Sequence, residues 1–241
     1  KQKTAYEIGV RLVGSEMCIR DRANAEATGL VMNHCRRAAG ALIASTNSVY
    51  RPHQDPMHRY VETDPLGDAT APHSPTYGVS KVSQEAVARA MARVLDLPTT
   101  ITRINASYGP NGGLPAYHGD WVAAGESVWL REPGPNAYSP IHEDDMARQV
   151  EALLEAASAP ATIVNWCGDD VVTAEECVAL YGAHLGGEPK LARYELPGGQ
   201  PGSAGDPTRR LSLTGPCTID WRDGMVTTLD ARVDSRNSAS N

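Results

Sequence analysis

The string Ser74-Pro75-Thr76-Tyr77-Gly78-Val79-Ser80-Lys81 holds the residue types best suited to chemistry in this sequence. Tyr77 and Lys81 stand four apart, so on a helix they project from one face, one turn from each other. That spacing sets a fixed ammonium near a phenol oxygen. A free phenol has a pKa of ~10, so making it a base near neutral pH takes roughly 3 units, or ~4 kcal/mol. A neighbouring lysine cation acts in the required direction. The resulting phenolate can take the proton of a substrate hydroxyl as a hydride leaves the same carbon.

Such a pair needs a scaffold. The apolar run Ala41-Leu42-Ile43-Ala44 reads as a buried parallel strand that leads into the polar string Ser45-Thr46-Asn47-Ser48-Val49-Tyr50. In doubly wound sheets, ligands sit beyond the carboxyl ends of strands, which is where this polar string falls. Ahead of it, Ala27, Leu30, Val31, His34 and Cys35 give residues 23–39 the spacing of an amphipathic helix, ended by Gly40. Residues 45–75, with five prolines, read as loop, and 76–95 as a long helix closed by Asp96-Leu97-Pro98. The β-branched stretch 99–104 is the next strand, followed by the turn string Tyr108 to Gly113.

Further on, 142–157 reads as helix, 162–166 as strand, and 173–185 as a helix with a capping box between Thr173 and Glu176. The Gly/Pro-rich stretch 196–207 reads as loop, 221–233 as a terminal helix and 234–241 as a disordered tail. Alternating helices and strands predict an α/β protein with a mostly parallel sheet.

Composition narrows the classes. With 241 residues and 41% hydrophobic residues the chain can build a sizeable core. A net charge of −7 argues against a nucleic-acid partner, and no apolar run approaches the ~18 residues of a membrane span. The five cysteines form no C-x-x-C pair and the histidines no H-x-x-x-H, so neither a disulfide framework nor a metal site is expected. With no secretory pattern at the start, the expected location is cytoplasmic. Residues 1–22 stand apart, positively charged on an acidic chain and without sustained periodicity, and are set aside as a non-native segment.

Four strings in this order resemble the extended short-chain dehydrogenase/reductases, the NAD-dependent epimerase/dehydratase group. They are Ser45 to Tyr50, Ser74 to Lys81, Arg103-Ile104-Asn105-Ala106-Ser107-Tyr108-Gly109-Pro110, and Tyr138 to Asp145. The resemblance implies a Rossmann-like doubly wound parallel sheet with a small C-terminal substrate lobe. It implies NAD or NADP as cofactor and a small-molecule substrate, with a homodimer as a family-level expectation. By position, Tyr77 resembles the acid/base, Thr46 the hydroxyl that orients substrate, and Lys81 the residue on the nicotinamide ribose. Ser45, Asn105 and Tyr108 are further cofactor-facing candidates, and Asn47 a substrate-facing one. The domains expected are 23–110 with 138–166 for the dinucleotide-binding part, and 111–137 with 167–233 for the lobe. The lobe's basic residues Arg131, Arg193, Arg209 and Arg210 are candidates to meet a diphosphate, Arg131 and Arg209 foremost, solvated surface charge being the other reading for each.

Departures from the family pattern matter too. Ala106 stands where the family usually has Asn, with Asn105 one position earlier. Asn47 and Ser48 replace the Asp-Glu pair of the sugar-nucleotide 4,6-dehydratases, and neither is an acid, which disfavours that subclass. No strand followed by G-x-x-G-x-x-G precedes Ala41, and the glycines at 198, 199, 202 and 205 open no helix. The expectation is a truncated enzyme lacking its first strands, inactive by itself, with NAD versus NADP choice hidden in the missing part. The activity classes left open are epimerase, carbonyl reductase and a non-catalytic dinucleotide sensor.

Overall fold

The computed structural model describes residues 22–67 and 76–239. The set-aside residues 1–21, Ser74, Pro75 and the last two residues lie outside the described ones. Three parallel strands form the central sheet in the order β1 (Ala41–Thr46), β2 (Thr99–Ile104) and β7 (Thr162–Trp166). Ala41 pairs with Thr99, and Thr100 with Thr162. Among the described residues the outer edge of β1 has no strand partner.

Side chains alternate across these strands, so each face has its own helices. Ala41, Ile43, Ile101 and Ile163 point to one side, where Met32, Ala88 and Ala92 come from α1 (Ala27–His34) and α2 (Tyr77–Leu95). Leu42, Ile104, Val164 and Trp166 point to the other, against Val150 and Leu153 of α4 (Glu143–Glu155). Each buried aliphatic side chain contributes ~1.5–3 kcal/mol, enough to fix the strand register. Helix α2 ends at Asp96, whose left-handed backbone at φ 49° turns the chain into β2.

A second core gathers Tyr108, Val128, Leu130, Tyr138, Tyr181 and Met225. Around it lie α3 (Leu114–Ala123), β4 (Ser127–Glu132) paired in parallel with β9 (Lys190–Glu195), α5 (Ala174–Leu185) and α7 (Trp221–Ala239). Two short pairs link the regions: β3 (Ser107–Tyr108) with β6 (Ile141–His142), and β5 (Ala137–Tyr138) with β8 (Val172–Thr173). The capping box forms as expected. Thr173 Oγ1 accepts from the Glu176 amide, and Glu176 Oε2 accepts from the Thr173 amide.

Two readings change. The first helix ends at His34 rather than 39, because no apolar stripe continues past Cys35. The tail is helical through Ala239 as part of α7, whose buried Met225 and Leu229 anchor it to the second core. Residues 167–233 also make contacts beside the sheet. Short α6 (Thr208–Thr214) brings Leu213 back against Leu153, Val164 and Trp166 beside the sheet, where Cys217 also packs.

Candidate active site

Strand β1 delivers Thr46 at its carboxyl end, where it caps a 3-10 turn (Asn47–Val49) by accepting the Ser48 amide at 3.2 Å. The Thr46 hydroxyl keeps its own proton to donate. Opposite stands the first turn of α2, with Tyr77 half-buried and Lys81 one turn on. Lys81 Nζ donates to the Ala44 carbonyl at 3.0 Å and to Gln84 Oε1 at 2.9 Å, and lies 5.9 Å from the Tyr77 ring centroid. Gln84 is itself held, its amide donating to Thr28 Oγ1 at 3.0 Å. The ammonium is thus tied to the strand two residues before Thr46. Burial lowers its pKa, with the Glu85 carboxylate acting in the opposite direction.

Two of the three Lys81 N–H donors are spent on protein, which leaves one for a ligand hydroxyl. That free donor, beside a phenol and a threonine hydroxyl at a strand end, fits the ribose and nicotinamide of a dinucleotide. Among the described residues, no cluster of three His, Cys, Asp or Glu is arranged to hold a metal, and no helix is long and apolar enough to cross a membrane.

The remaining candidates divide. Ser45 is 3% exposed and donates to Glu85 Oε1 at 2.6 Å, in the layer between sheet and α2 rather than on the open side. Tyr108 is 2% exposed inside the second core, where burial raises its phenol pKa. Asn105 is a cross-brace. Its Nδ2 donates to the Ser203 carbonyl at 2.5 Å, and its Oδ1 accepts the amides of Ala106 at 2.8 Å and Ser139 at 3.0 Å. Asn47 donates to the same Ser203 carbonyl at 2.6 Å, while its buried Oδ1 has no hydrogen-bond partner. Arg209 lies exposed on α6 and does not line the cavity beside β1; its neighbour Arg210 is buried and paired with Asp169.

Arg131 does line a cavity of about 710 Å³, together with Ser48, His118, Trp121, Tyr138 and Gln200. Because Ser48 follows Thr46 by two residues, the cavity abuts the Thr46 end of β1. His118 was not singled out from the sequence, although Leu114, His118 and Trp121 at helical spacing all face the cavity. Burial pushes its imidazole down to about 4, so the ring is neutral, and its Nδ1 is buried without a partner.

The stretch read as a plain loop is a strap. Gln200 donates to the Asn47 and Tyr50 carbonyls, Ser203 N to the Ala137 carbonyl, and Tyr60 N to the Ala204 carbonyl. Gly202 is required there, because a Cβ would collide with the Pro56 carbonyl.

These arrangements have relatives. The chain shares its fold with UDP-glucuronic acid 4-epimerase from Bacillus cereus, at 18% identity and a TM-score of 0.74, with 88% of this chain and 68% of that one covered. It also matches a dTDP-glucose 4,6-dehydratase from Streptomyces venezuelae, at 20% identity and a TM-score of 0.76, covering 99% and 73%. UDP-glucose 4-epimerase from Thermus thermophilus follows the same pattern, at 20% identity and a TM-score of 0.71, covering 85% and 68%. All three are described with NAD bound. No curated protein matches the sequence. The model of the NAD dependent epimerase/dehydratase family matches residues 16–167, starting inside the stretch that composition set apart. That match spans β1, the Tyr77–Lys81 helix and the whole central sheet, and the chain belongs to the NAD dependent epimerase/dehydratase family.

Proposed function

We propose that this chain is the catalytic part of an NAD(P)-dependent oxidoreductase that moves a hydride at a hydroxyl or carbonyl carbon. The anchoring of Lys81 by the Ala44 carbonyl, beside Tyr77 and two residues before Thr46, carries the reading. The bound nicotinamide supplies the hydride acceptor or donor. Tyr77 takes the substrate hydroxyl proton, or returns it to a carbonyl oxygen. Thr46 donates to the substrate oxygen and fixes its angle to the phenol. Lys81 holds a ribose hydroxyl with its remaining N–H and keeps a positive charge near the phenol oxygen.

On this reading the protein works in the cytoplasm and acts on a small molecule. Exposed apolar side chains on α2 (Val79, Val94) and α1 (Leu30, Val31) support a reading in which a second copy docks on these helices. A nucleotide-sugar epimerase and a carbonyl reductase differ in cofactor use. The epimerase retains its nicotinamide and turns over without added cofactor, whereas the reductase needs exchangeable NAD(P)H.

The test is an NADH fluorescence titration with the wild type and Tyr77→Phe, coupled to a hydride-transfer assay. Tyr77→Phe should bind NADH unchanged while turnover falls ~10²–10⁴-fold. Unchanged turnover would remove the proton-transfer role and favour a dinucleotide-sensing module.

A further inference from the structure

The cavity beside Thr46 says what kind of molecule it suits. It offers one cation. Arg131 is 9% exposed, and among the described residues no carboxylate pairs with its guanidinium. Its backbone is fixed by Asn136, which accepts from the Arg131 amide at 3.1 Å and donates to its carbonyl at 3.0 Å. Asn136 is in turn held by Glu175, and Glu175 is neutralised by Arg193 at 2.8 Å. The charge of Arg131 is therefore left to the cavity.

The other polar groups there are neutral. His118 is 3% exposed with an unpartnered Nδ1, and Ser48, Asn136, Gln200 and Ser203 bring no charge. Much of the remaining wall is apolar or aromatic, including Leu114, Trp121, Trp129 and Leu130, with the neutral phenols Tyr138 and Tyr194. A diphosphate carries two negative charges and needs matching cations or open water when enclosed. One planar guanidinium matches one carboxylate, with two parallel hydrogen bonds.

We propose that this cavity takes a hydroxy acid bearing a single carboxylate rather than a nucleotide sugar. Its carboxylate sits on Arg131, a hydroxyl or carbonyl oxygen on His118, and an apolar body against Trp121, Trp129 and Tyr138. The inference rests on the oxidoreductase reading for its catalytic meaning, but binding is measured without cofactor, so the two fail separately.

The experiment follows intrinsic tryptophan fluorescence of the full chain, because Trp121 and Trp129 line the cavity. The probes are mandelate, its neutral methyl ester and UDP-glucose. Mandelate should give a saturable change, with the ester and UDP-glucose at least about tenfold weaker, the size expected for one charge-assisted pair. Arg131→Gln should weaken mandelate by about the same factor and leave the ester unaffected, while Arg131→Lys should recover part of the binding. Far-UV circular dichroism of each variant confirms that it is folded. UDP-glucose binding more tightly than mandelate, equal binding of acid and ester, or no saturable change with any probe would each overturn the proposal. Loss of turnover or of NADH binding in the Tyr77→Phe experiment would leave these titrations unchanged.

Discussion

Glu85 grips Arg103 with two hydrogen bonds, Nε to Oε1 at 3.0 Å and Nη2 to Oε2 at 2.8 Å, with both side chains sealed between α2 and the sheet. Ser45 adds a third bond to the carboxylate, and the Arg103 guanidinium lies 4.7 Å from the Tyr50 ring centroid. The pair locks the helix that carries Tyr77 and Lys81 to the strand beside β1.

Glu85→Gln would leave the Arg103 charge buried without a counter-charge. Urea unfolding should show a loss of about 3–5 kcal/mol, because breaking a buried pair costs far more than an exposed one. Combining it with Arg103→Met should recover part of that loss. A single-variant loss below ~1 kcal/mol would mean that the pair behaves as a surface bridge.

His118 makes stability pH-dependent. Its folded pKa is depressed from 6.5 to about 4 by burial, with Glu175 the opposing charge. Between those values the unfolded chain binds a proton that the folded chain does not, so stability is fully present above pH 6.5 and falls as pH drops toward 4. The loss attributable to this residue is about 3 kcal/mol across that window. Denaturant midpoints measured between those pH values should fall less steeply for His118→Gln than for the wild type. Parallel slopes would show that the imidazole titrates normally.

Asn105 gives a different signature. Asn105→Ala removes three hydrogen bonds, one buried and two part-buried, that join β2, Ser139 and the strap, and should cost about 2–4 kcal/mol. Limited proteolysis should then cut within residues 196–207 faster than in the wild type. A destabilised variant with unchanged cleavage would show that the strap is held by its other bonds alone.

Gly202→Ala tests the strap from the opposite side. The added methyl meets the Pro56 carbonyl, and backbone cannot yield as a flexible side chain does. The melting temperature should fall and the fluorescence of cavity tryptophans should change, whereas Gly187→Ala, where a Cβ meets nothing, should leave both unchanged.

Local pattern carried much of this molecule. The apolar runs at 41–44 and 162–166, the β-branched stretch at 99–104 and the spacing of Tyr77 and Lys81 were readable, because burial on a parallel sheet and helical periodicity are imposed residue by residue. The Thr173 capping box was legible for the same reason. Tertiary structure alone decided which side chains reach the cavity. Asn105 and Tyr108 follow a strand end as cofactor residues would, yet partners distant in the chain draw one onto Ser203 and the other into the second core. Arg131 and Arg209 look alike in sequence, and only packing buries the first in a cavity and leaves the second in water. The cost of burying charge makes that difference, and burial is set by contacts across the whole chain rather than by neighbours in sequence.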